Sequence, residues 1–174
     1  MRKLWALTAI VLLGGLAVGA VALARGGGGS EFDAKLNGYN EVTSKSTVAR
    51  GSFEARIRNG TIRYRLSYRD LETPALFAHI HFGQPHVNGG VIAFLCGGGG
   101  KPVCPETTGT VTGTITPADI IGPGPNPSNP SADQGIEPGS FQEAVRALRA
   151  GAVYANVHSE RFPGGEIRGQ LRRD

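Results

Sequence analysis

GSFEARIRNGTIRYRLSY, residues Gly51 to Tyr68, decides the fold. In its first half Phe53, Ala55 and Ile57 alternate with Glu54, Arg56 and Arg58. After Asn59-Gly60, residues Ile62, Tyr64, Leu66 and Tyr68 alternate with Arg63 and Arg65. A period of two places each set on its own face of a strand, and Asn-Gly supplies the two positive φ angles of a type I′ turn. The stretch therefore predicts an antiparallel hairpin with one apolar and one arginine-rich face. Asn59-Gly60-Thr61 also spells a glycosylation sequon, but the turn accounts for it.

Upstream, FDAKLNGYNEV reads as a short strand with a turn at Asn37 and Gly38. Downstream, LETPALFAHIHF is a strand entered through Pro74, and GGVIAFLC is a buried strand after a turn at 88–90. TGTVTGTITPADII is a threonine-rich strand ending in a helical turn, with Thr116 as N-cap and Pro117 at the first helical position. Residues 121–139 are too rich in Pro, Gly and Asn for regular structure. SFQEAVRALRAG is the one convincing helix of the domain. Ser140 and Glu143 spell a capping box, Ala144, Val145 and Leu148 share a face, and Gly151 ends it. VYANVHS and EIRGQLR return to strand. Seven or eight short strands and one short helix predict an all-β protein, an antiparallel Greek-key-like sandwich or barrel forming a single domain over 31–174.

The chain opens MRKLWALTAIVLLGGLAVGAVALA. Arg2 and Lys3 ahead of an apolar run match an export signal, with Ala22 and Ala24 at the −3 and −1 positions of a cleavage site. The run is also long enough to span a bilayer if retained, so residues 1–24 are a signal peptide or a membrane anchor built on 5–24. Both readings put the domain outside the cytoplasm, secreted or tethered. Residues 25–30, RGGGGS, form a flexible linker. The whole chain carries a formal charge of +4. Without Arg2 and Lys3, sixteen basic residues face fourteen acidic ones, about +2, with no basic stripe of the kind a nucleic acid needs. Nucleic acids are excluded as partners, and an unidentified extracellular protein remains one. Cys96 and Cys104 flank GGGGKPV. In an exported chain a close, even pair predicts a disulfide.

Three of the four histidines, His79, His81 and His86, fall within FAHIHFGQPHVNGG; the fourth, His158, lies in VYANVHSERFPGG. On a strand His79 and His81 share the face opposite Ala78, Ile80 and Phe82. By the same alternation Tyr154, Asn156 and His158 lie opposite Val153, Ala155 and Val157. If the two strands are neighbours, three imidazoles converge, with His86 on the following loop as an optional fourth ligand, a set suited to copper or zinc. The plainer alternative is that these rings hydrogen-bond nearby backbone without metal. Glu160, beside His158, is an additional carboxylate in an exposed loop. In GGEIRGQL, Glu166 and Arg168 share a face and read most simply as an ion pair; the functional alternative makes Asn156, Glu166 and Arg168 supports for the histidines.

Four segments, LNGYNEV (36–42), AHIHFGQPHVNGGVIAFLC (78–96), GTITPADI and AVYANVHSERFPGGEIRGQL (152–171), resemble the CHRD domain, a family named for its occurrence in chordin and found in many exported bacterial proteins. The resemblance implies an extracellular β-barrel or immunoglobulin-like sandwich without an established enzymatic role. In chordin itself the domains belong to an antagonist of growth factors. The family's H-x-H falls on His79 and His81 and its N-x-H on Asn156 and His158. The Cys96–Cys104 glycine loop and the proline-rich insertion depart from the pattern.

HIHFG is also similar, more faintly, to the copper-ligating strand of copper-zinc superoxide dismutase, but no aspartate stands among clustered histidines for a zinc half-site. No G-x-S-x-G elbow, P-loop or H-E-x-x-H is present. Three functions follow: a non-catalytic exported domain with a copper- or zinc-binding histidine cluster, a metal-free protein-binding module using the loops and the arginine face, and a dismutase-like copper enzyme.

Overall fold

A computed structural model describes residues 31–123 and 134–174. The export segment 1–24, the linker 25–30 and the middle of the proline-rich loop lie outside the described residues. The strands are β1 (Glu31–Asn37), β2 (Arg50–Arg58), β3 (Thr61–Arg69), β4 (Ala75–Phe82), β5 (Gly90–Cys96), β6 (Gly109–Ile115), β7 (Val153–Ser159), β8 (Ile167–Gln170) and β9 (Arg172–Arg173); one helix, α1, spans Phe141–Arg149. All lie in one sheet ordered β5-β4-β7-β8-β1-β2-β3-β6, with β9 paired to β1, and the pairings are antiparallel throughout.

The hairpin forms as its sequence predicts. Phe53 pairs with Leu66 and Arg56 with Arg63, and the turn has φ of 49° at Asn59 and 71° at Gly60. Its apolar members Phe53, Ala55, Ile62, Tyr64, Leu66 and Tyr68 are buried. They meet Phe32, Ala34 and Leu36 from β1, Ala78 and Ile80 from β4, and Val153, Ala155 and Val157 from β7 in one core. Each fully buried Leu, Ile or Phe in it contributes about 1.5–3 kcal/mol. The helix adds Phe141, Ala144, Val145 and Leu148.

The two ends of the strand order, β5 and β6, close on each other into a nearly complete barrel. Cys96 at the end of β5 is disulfide-bonded to Cys104, ahead of β6, with Cα atoms 5.1 Å apart. Tyr64 Oη on β3 donates to Leu95 O on β5 at 2.7 Å. Lys101, inside the disulfide loop, donates to Thr114 O on β6 at 2.8 Å and pairs with Asp119 at 2.7 Å. The barrel alternative is thus the one realised, nearly closed, with the two edge strands brought together rather than paired.

Both helical turns form, but only one is capped as expected. Asp119 reaches back to accept from Thr116 N at 2.7 Å and Thr116 Oγ1 at 2.8 Å. Ser140 makes no side-chain cap, and Glu143 instead takes a hydrogen bond from Arg146 one turn on at 3.0 Å. Ser140 has φ −75° and ψ 63°, away from the extended backbone a capping serine uses.

Candidate metal centre

The barrel wall makes β4 and β7 hydrogen-bonded neighbours, so the two histidine strands do run side by side. His79 lies opposite Asn156, His81 opposite Tyr154 and Phe77 opposite His158. On the next strand Arg168 lies opposite Asn156. Because Ala78, Ile80, Ala155 and Val157 fill the apolar core, all these polar side chains stand on the other face of the wall. Loops cover them there. His79, His81 and His158 are 5–7% exposed.

The ring centroids of His79 are 5.3 Å from His81 and 5.0 Å from His158, and those of His81 and His158 are 6.2 Å apart. One nitrogen from each ring lies within 4.8 Å of the others. Nitrogens bound to one cation at about 2.0–2.1 Å sit no more than about 4 Å apart, so a small inward rotation brings the three around an ion. Phe77 and Phe94 wall the cluster, with centroids 4.8 and 4.3 Å from His79.

Hydrogen bonds hold two of the three rings in the way that metal-ligating histidines are held. His81 Nδ1 lies 3.0 Å from Gly89 O, and His158 Nδ1 lies 2.9 Å from Pro163 O. A proton donated there leaves the lone pair of each ring on Nε2. Both nitrogens of His79 are buried without a hydrogen-bond partner, and His81 Nε2 makes no bond of ordinary geometry, with the Asn156 side chain beside it. His158 Nε2 faces Asn156 Oδ1 at 3.0 Å. A neutral imidazole has one N–H for its two oxygen neighbours, so a cation at Nε2 suits this ring better than a second acceptor. Unpaired buried polar atoms are costly, and coordination of an ion would satisfy them.

Electrostatics keep the rings neutral. Burial, with the neighbouring imidazoles adding to it, pushes His79 down to about 3. Burial likewise takes His81 down to about 4, partly opposed by its Gly89 contact. His158 is lowered by the same cause. Neutral imidazole is the ligating form.

Around the histidines lies a shell that the sequence only partly disclosed. The Tyr154 ring stacks on His81 at 4.7 Å and 3°, and the Arg168 guanidinium sits 3.4 Å from the same ring's centroid. Tyr154 Oη accepts from Gly89 N at 3.2 Å. Arg168 donates to Val87 O at 2.7 Å, Gln84 O at 3.2 Å and Asn88 Oδ1 at 3.3 Å. The 84–89 loop that fixes His81 is therefore held by Arg168 and Tyr154. Gly89 allows this approach, since a Cβ there would lie 1.7 Å from Phe82 O. Glu41, in the LNGYNEV segment, is buried beside Asn156 and Arg168. Desolvation raises its carboxyl to about 7 against the pull of both.

Two expectations are corrected. Glu166 and Arg168 do not pair: Glu166 Oε1 accepts from Thr47 Oγ1 at 2.8 Å and Glu72 N at 3.1 Å, while Arg168 turns to the 84–89 loop. Their shared strand face hid the fact that loops from opposite directions supply their partners. His86 is not brought to the cluster; it is exposed, with φ of 65°, and lines a cleft of about 390 Å³ with Asp33, Lys35, Arg168 and Arg172, without the cluster histidines. Among the described residues, His79, His81 and His158 form the one group of three or more metal-ligating side chains. Glu160 is exposed and outside it. Glu41, Thr47, Phe77 and Phe94 escaped the sequence reading because only the pairing of distant strands and loops places them here.

Compared with known proteins, the family model of the CHRD domain matches residues 32–171. No curated protein and no solved structure matches the chain.

Proposed function

Because the chain belongs to the CHRD domain family, we propose that it is an extracytoplasmic, non-catalytic domain that holds one copper or zinc ion through His79, His81 and His158. The observation that carries this is the arrangement of His81 and His158, each with Nδ1 on a backbone carbonyl, about a third imidazole whose two buried nitrogens have no partner. Metal-ligating histidines characteristically hand their second nitrogen to such a carbonyl. The basic and apolar opening of the sequence and the Cys96–Cys104 disulfide support export to an oxidising compartment. The ion would be held by the three imidazoles, while Asn156, Tyr154 and Arg168 orient them.

Metal analysis of protein purified from copper- and zinc-supplemented medium tests the reading against a His79→Ala/His81→Ala double variant. One equivalent in the parent and none in the variant is expected. Equal contents remove the metal centre and leave a protein-binding domain that uses the arginine face of the hairpin.

A further inference from the structure

Taking the metal centre above as its basis, we infer that this site is built for a monovalent ion, Cu(I), and that Arg168 sets the preference. Three imidazoles supply the ligands, and all three are neutral. No Asp, Glu or Cys joins the group among the described residues, so the charge of a bound ion goes uncompensated by its ligands. Burying net charge is costly, and the cost grows steeply from a monocation to a dication.

The surroundings add to the discrimination. Arg168, 2% exposed, sits against the Tyr154 ring, which stacks on His81. A buried guanidinium one aromatic ring away repels a dication twice as strongly as a monocation. Glu41 faces Arg168 and offsets part of its charge, but its burial disfavours ionisation. Glu166 is engaged by Thr47 and the Glu72 amide. Coordination preferences point the same way. Cu(II) favours tetragonal nitrogen and oxygen sites and Zn(II) takes four ligands, whereas the three imidazoles, packed against Phe77, Phe94 and Tyr154, supply three nitrogens, with the Asn156 amide oxygen beside them 3.0 Å from His158 Nε2. Cu(I) is satisfied by three.

Apo protein is titrated anaerobically with Cu(I) against bicinchoninate, and separately with Cu(II) and Zn(II) against a chromophoric chelator; the potential of the copper-loaded protein is then measured. The expected result is one equivalent of Cu(I), held more tightly than either dication. Arg168→Gln should lower the Cu(I)-to-Cu(II) affinity ratio about tenfold, a fall of about 59 mV for a one-electron couple, while Arg168→Lys retains most of the parental ratio. If Arg168→Gln does not fold, Glu41→Gln supplies the opposite shift, because it removes the carboxylate that faces Arg168. Equal or tighter binding of Cu(II) or Zn(II) by the parent overturns the Cu(I) preference and leaves the metal centre standing. A ratio unmoved by these substitutions overturns the role of Arg168. Absence of all three metals from the parent overturns the centre itself.

Discussion

His81 and Tyr154 face each other across the β4–β7 ladder with their rings 4.7 Å apart and 3° from parallel, and both reach the backbone of the same residue. Gly89 offers its carbonyl to His81 Nδ1 and its amide to Tyr154 Oη. A ligand and its structural neighbour thus share one clamp.

Tyr154→Phe keeps the stacked ring and deletes only the hydroxyl. The orphaned Gly89 amide should cost about 1 kcal/mol in urea denaturation. Metal affinity should fall by up to about tenfold, the lower end of what disturbing a ligand's supporting partner costs, because the Gly89 carbonyl that holds His81 is then less firmly fixed. Chelator competition on the folded variant measures it; unchanged affinity means that the Gly89 clamp does not orient His81.

Metal-free protein should lose stability in mild acid. Unfolded, each histidine takes a proton near pH 6.5; folded, His79 refuses it down to about 3 and His81 down to about 4. Between those limits the unfolded chain binds more protons, so stability falls as the pH falls. By pH 4.5 the loss is on the order of 2–3 kcal/mol for each of these two residues. Chemical denaturation at pH 7.5, 6 and 4.5 should show it, with a flatter profile in His79→Ala/His81→Ala.

Glu41 acts in the opposite direction. Its carboxyl, raised to about 7 from an ordinary 4.5, keeps a proton in the folded state that the unfolded chain gives up. Its contribution to stability is present below about pH 4.5 and disappears as the pH rises through 7. Glu41→Gln should therefore be more stable than the parent at pH 8, by about 1–3 kcal/mol. Thermal melts of both proteins at pH 5 and pH 8 test this; a variant that gains nothing at pH 8 contradicts a buried, reluctant acid.

The sequence disclosed some of this architecture more readily than the rest. Strand faces follow from a period of two, so the Asn59-Gly60 hairpin and the common face of His79 and His81 could be read directly. The proximity of His158 could not, because which strands pair is a non-local choice. The Glu166–Arg168 expectation erred for a related reason: strand position gave the direction of both side chains, while the 84–89 loop and Thr47 decided their partners. His86 is only five positions from His81, yet Pro85 and a positive φ at His86 turn it elsewhere.

Cys96→Ala/Cys104→Ala should lower stability by about 2–3 kcal/mol, the chain-entropy value for so short a loop. The disulfide spans eight positions in sequence. Urea denaturation under matched conditions gives the difference.

That crosslink also bears on how copies of the molecule behave toward one another. It fastens the place where β5 and β6, the last strands at either end of the sheet, come together. Those two strands share no ladder, so each keeps an unpaired edge, and the crosslink holds the two edges toward each other and away from strands of other molecules. Reduction of the disulfide should therefore raise self-association, seen in light scattering as a larger species with reductant than without.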